Sequence, residues 1–99
     1  MFHEKIQLTN KEVDGYVMPL GPVNLVYVTT DTGMVGCGAF DVAALDNFSY
    51  PAARVRPTRG SSIATTEDLF VGEVKDANEA ATSLGVKIGM SGREALDHM

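Results

Sequence analysis

Tryptophan is absent from the 99-residue sequence, and cysteine occurs once, at Cys37. A single cysteine excludes an internal disulfide and argues against a cysteine-built metal site. No apolar run approaches the roughly 20 residues of a membrane-spanning helix, so no membrane is expected as a partner. Met1–Gln7 has neither the basic start nor the apolar stretch of a secretory signal, and the expected location is cytoplasmic. Positive charge is scarce. Eight Lys and Arg stand against 13 Asp and Glu, for a formal net charge of −5. Nucleic acid is therefore not an expected partner either.

What remains is the composition of a folded domain. Hydrophobic residues make up 44% and charged residues 21%, which separates the chain from disordered sequences. No repeat, low-complexity segment or linker divides it, so residues 1–99 read as a single domain. The first 40 residues read as strands. Ile6 and Leu8 alternate with polar neighbours, Asn10–Gly15 is polar and turn-like, and Tyr16–Leu20 is a second short apolar segment. Asn24–Thr30 is β-branched and aromatic on both faces, which suits an interior strand. Asp31-Thr32-Gly33 has hairpin-turn chemistry, and Met34–Phe40 reads as the partner strand. Gly36 and Gly38 within it suggest a bulge or a close backbone approach.

The second half reads mainly as helices. Asp41 can cap a helix through Phe48, and Pro51 ends it. Ala53–Arg59 is expected to be extended, because Pro57 biases Arg56 away from the helical region. Thr65 or Thr66 can cap a short helix through Phe70. Val74, Ala77, Ala81 and Leu84 recur at helical spacing, so Glu73–Leu84 reads as the clearest helix, closed by Gly85. Ser91-Gly92-Arg93-Glu94 is a capping box that opens the last helix, with Ala95, Leu96 and Met99 inward. Strands followed by helices predict an α+β fold of two layers: a mostly antiparallel or mixed sheet with helices packed on one face.

Three segments have the residues for chemistry. Around Cys37 a strand runs toward the helix that Asp41 opens. Cys37 is there either a nucleophile, with Asp41 or Glu94 as proton carrier, or a small packing residue, and Asp41 is otherwise a helix cap. Arg54, Arg56 and Arg59 form a basic island in an acidic chain. Arg54 and Arg59 are candidate ligand contacts, since a guanidinium fork fits carboxylate or phosphate, but the island can also pair with the chain's own carboxylates. In the third segment, Ser91 and Gly92 amides with Arg93 and Glu94 could hold an anion; a capping box also accounts for Ser91 and Glu94. The Asp31-Thr32-Gly33 triplet also resembles the outline of a retroviral aspartic protease, yet a hairpin turn accounts for it.

The order Cys37-Gly38-Ala39-Phe40-Asp41, Thr66-Glu67-Asp68-Leu69, Leu84-Gly85-Val86 and Gly89-Met90-Ser91-Gly92-Arg93-Glu94-Ala95-Leu96 resembles the YunC-like family of small bacterial and archaeal domains. The resemblance spans Gly15–Met99. It implies a compact two-layer α+β fold and carries no activity, substrate or cofactor. The residues themselves point first to a module that binds a small anionic metabolite, with Arg93, Ser91 and Gly92 as contacts and Cys37 lining the site. The alternatives are a Cys37-dependent enzyme and a structural protein that forms a homo-oligomer. No cofactor or metal is expected.

Overall fold

A computed structural model describes Met1–Met99 as one six-stranded sheet with four short helices. The strands are β1 (Phe2–Gln7), β2 (Glu12–Pro19), β3 (Asn24–Thr29), β4 (Met34–Gly36), β5 (Ala52–Arg56) and β6 (Glu73–Ala77). They lie side by side in chain order. Every neighbouring pair is antiparallel except β4 and β5. Parallel neighbours need a long crossover, and residues 37–51 provide it, with α1 (Val42–Asp46) inside. The other helices are α2 (Thr66–Val71), α3 (Glu79–Ser83) and α4 (Gly92–Asp97). None is long and apolar enough to cross a membrane.

One face of the sheet carries the main core. Val13, Val26, Val28, Val35, Ala53, Val55 and Val74 meet Leu69 and Phe70 of α2 and Ala95 and Leu96 of α4. Period-two alternation then turns the next residues of each strand to the other face. There Met34 and Ala52 form a smaller cluster with Val42 of α1. The remainder of that face holds a row of rings across neighbouring strands. His3 stacks on Tyr16 at 4.6 Å, Tyr16 on Tyr27 at 4.8 Å, and Phe40 meets Tyr27 edge-on at 5.4 Å. Gly36 permits the last contact, since a Cβ there would strike the Phe40 ring.

Several sequence expectations need correction. Glu73–Leu84 is not one helix. Glu73–Ala77 is strand β6, and Asn78 caps the short α3 by accepting from the Ala81 amide at 2.9 Å. The helical spacing of Val74 and Ala81 arose because a strand residue and a helix residue both point into the same core. Leu84, the last member of that series, is exposed. Strands and helices therefore interleave in the second half. Met34–Phe40 is strand only to Gly36, after which Cys37–Ala39 turns away. β2 begins at Glu12 within the segment read as a turn, because Gln7↔Glu12 closes the first hairpin. The caps at Asp41, Thr65 and Ser91, the extended stretch around Arg54, and the left-handed Gly85 (φ 102°) are as expected.

Candidate functional site

Asp41 and Cys37 are only four residues apart, yet they face different clefts. Asp41 accepts from the Ala44 amide at 3.0 Å and lines a cleft of about 620 Å³ with Asp46, Arg54, Asp76, Asn78 and Glu79. Most polar groups in this cleft are engaged by the protein itself. Arg54 Nε donates to Asp76 at 2.6 Å, and another of its N–H groups donates to the Gly38 carbonyl at 3.1 Å. Asp46 accepts from the Ala80 amide at 3.1 Å. Asn78 is 6% exposed and makes four bonds: it accepts from the Ala52 and Ala81 amides and donates to the Val42 and Tyr50 carbonyls. It fastens α1, β5 and α3 together.

Cys37 lies at the floor of a second cleft, of about 320 Å³, with Gly38, Asn24, Arg56, Ser62 and Lys75 on its walls. The cleft opens at the carboxyl ends of β4 and β5, the only parallel pair. Ligands in open α/β sheets commonly bind outside the carboxyl ends of such strands. Cys37 is 7% exposed and belongs to the main core, and its amide donates to the Val26 carbonyl at 3.0 Å. The loop 57–64 forms one wall. Asn24 Nδ2 donates to the Ala64 carbonyl at 3.0 Å, and Thr58 Oγ1 donates to the Val71 carbonyl at 2.7 Å. Both bonds tie the loop to regular structure.

Lys75 is exposed and borders the cleft where the sheet is irregular. Ala77 faces Ala53, Asp76 faces Arg54 and Val74 faces Val55, so Lys75 has no partner residue on β5. The extra residue is a β-bulge, a device that redirects a side chain. The carboxylates on either side of Lys75 are already taken, Asp76 by Arg54 and Glu73 by Arg56. Ion pairs of the molecule engage Lys5, Arg54, Arg56 and Arg59, and Lys75 is in none of them.

The arginine island is paired with the chain's own carboxylates. Arg54 holds Asp76, Arg56 holds Glu73 and Arg59 holds Asp68. Asp68 has its carboxyl below the ordinary range, first because it accepts from the Ala64 amide, then because Thr65 and Arg59 also donate to it. Asp14, on the open face, is lowered by hydrogen bonds from His3 and Lys5.

The last candidate segment is an edge cover. The Met90 carbonyl accepts from the Val74 amide at 2.7 Å, the Gly89 amide donates to the Val74 carbonyl at 2.9 Å, and the Gly92 amide donates to the Gly72 carbonyl at 2.9 Å. Residues 89–92 thus run along the free edge of β6, a place that otherwise invites pairing with another chain. Gly92 is required because a Cβ would strike the Leu69 carbonyl. Ser91 and Glu94 then close a reciprocal capping box. Arg93 is exposed and lines no cleft. Cys37 and Arg93 are therefore not brought to one cleft, and neither are Cys37 and Asp41. Sequence reasoning missed Asn24, Ser62 and Lys75 as cleft residues. Lys75 was hidden inside the expected helix, and nothing local marks a bulge.

Comparison with known proteins agrees with the fold. Residues 36–99 match the family model of a domain of unknown function, DUF1805. The uncharacterized protein YunC of Bacillus subtilis (strain 168) is 33% identical over 91 residues, covering 92% of this chain and 89% of that protein. The crystal structure of TA1206, a protein of unknown function from Thermoplasma acidophilum, superposes with a TM-score of 0.85 at 21% identity, over 97% of this chain and 89% of that one. That likeness concerns the fold alone. From the family model and the identity to YunC together, this chain belongs to the YunC-like DUF1805 family.

Proposed function

We propose that this protein binds a small anion, a carboxylate or phosphate with a short apolar body, in the cleft at the carboxyl ends of β4 and β5. The observation that carries the reading is Lys75, an exposed cation that borders the cleft at a bulge and has no carboxylate partner. Arg56 supplies a second positive charge, Asn24 and Ser62 supply polar contacts, and Val55 and Ile63 line the apolar part. Cys37 contributes a thiol to the floor. The helix starts at Asp41 and Ser91 are not part of this site, because their own caps occupy them.

Thermal unfolding against a panel of small carboxylates and phosphates tests the reading. A ligand at a hundredfold over its Kd adds about 2.7 kcal/mol to stability. For a domain of this size each kcal/mol moves the midpoint by roughly 4–8 °C. The expected result is a shift that Lys75→Ala abolishes and Arg93→Ala leaves intact. The converse would move the site to the start of α4, and no shift across the panel would overturn the binding reading.

A catalytic reading with Cys37 as nucleophile draws on the same cleft. Neither proton carrier suggested by the sequence supports it: Asp41 lines the other cleft, and Glu94 is occupied in its capping box. Binding is the reading that the geometry favours.

A further inference from the structure

The two cations of the proposed cleft differ in freedom, and the difference assigns a role to Glu73. Lys75 pairs with nothing. Arg56 is held by Glu73, with Nε donating to Oε1 at 2.7 Å and a second N–H donating to the same oxygen. Arg56 and Lys75 also line a neighbouring cleft of about 430 Å³ together with Glu73, Val74 and Ile88. Arg56 therefore stands on the ridge between two clefts, and Glu73 lines only the second.

We propose, resting on the binding reading above, that Glu73 is an internal competitor for the ligand anion, which binds by taking the Arg56 guanidinium from it and being clamped between Arg56 and Lys75. The exchange is cheap on both sides. The Arg56 side chain is 63% exposed and that of Glu73 is 37% exposed, and ion pairs this open to water are weak. Glu73 left alone would still face solvent, so no buried charge is stranded. The Glu73 backbone is held between β5 on one side and the Ser91 bridge on the other, so only its side chain can adjust to the guanidinium. The fork of Arg56 favours anions with two coplanar or adjacent oxygens, so carboxylates and phosphates should bind in preference to halides.

Amide chemical-shift titration of the whole protein with butyrate and with inorganic phosphate, at constant ionic strength, tests this. Glu73→Gln is expected to bind both probes about two- to fivefold more tightly than the unmodified protein, the range set by the worth of one exposed ion pair. Glu73→Asp, which keeps the charge and shortens the reach to Arg56, should move in the same direction and serves if the first variant fails to fold. Glu67→Gln, an equal charge change on α2, should leave affinity unchanged. Equal affinities in the unmodified protein and both Glu73 variants would overturn the competitor role and leave the binding reading standing. An equal gain in Glu67→Gln would reduce the effect to net charge and likewise overturn it. No saturable shift in any variant would overturn the binding reading together with the inference.

Discussion

The amino-terminal meander and the carboxy-terminal half of this domain are held together by different means. From β1 to β4 each strand pairs with the one before it across a short turn, in continuous register, and a row of rings crosses the same strands. Order there is repeated many times over, so no single side chain bears much of it. After Gly36 the elements are short. The four helices have five or six residues each, too few to persist by themselves. They are held at single points by side-chain caps: Asp41, Thr65, Asn78 and Ser91. One buried amide, Asn78, joins three of the surrounding elements. The irregular half also holds most of the proposed site, where strict register is broken by the bulge at Lys75.

The largest effect should follow from Asn78→Ala. It leaves two amides and two carbonyls without their partner, and buried unpaired groups cost about 1–3 kcal/mol each, so a loss of at least about 4 kcal/mol is expected by urea unfolding. Tyr16→Ala should cost less, about 1–2 kcal/mol, from the stacked contacts to His3 and Tyr27 and partial burial. A Tyr16→Ala loss equal to that of Asn78→Ala would break the comparison, because the meander would then also depend on single side chains.

The smallest effect concerns pH and sharpens the same contrast. The Asp68 carboxyl is lowered in the folded protein, chiefly by the Ala64 amide, from an ordinary value of 3.8. A lowered carboxyl contributes stability that is present above the unfolded value and lost as pH falls through the folded one. Asp68→Asn should therefore lower Tm at neutral pH, and the gap to the unmodified protein should close below about pH 3.8. A gap that stays constant from pH 7 to pH 2 would show that the carboxylate charge plays no part in holding α2 and the loop 57–64.

Much of this organisation was legible locally. A capping box needs only Ser91 and Glu94 at the right spacing, and a left-handed end needs only Gly85 after Leu84. The interior character of β3 showed in its β-branched and aromatic run. What failed was the segment 73–84, where periodicity over twelve residues merged a strand and a helix. Asn78 was the local sign of a break, since Asn favours caps over helix interiors. From sequence the arginine island was open to a ligand clamp, with internal pairing or a solvated face as the favoured account. Only the cross-strand register of Arg54 with Asp76 and Arg56 with Glu73 decided that both are paired.

By itself the sequence determined the α+β class of the fold, the caps at Asp41, Thr65 and Ser91 and the absence of an internal disulfide, because each depends on composition or on residues within a few positions of one another. The tertiary structure alone decided which candidates share a cleft. Cys37 stands with Lys75, 38 positions away, and not with Asp41, because β4 and β5 lie parallel and β6 bulges against β5. Strand pairing is long-range and a bulge is a mismatch between two strands, so neither is written in a local pattern.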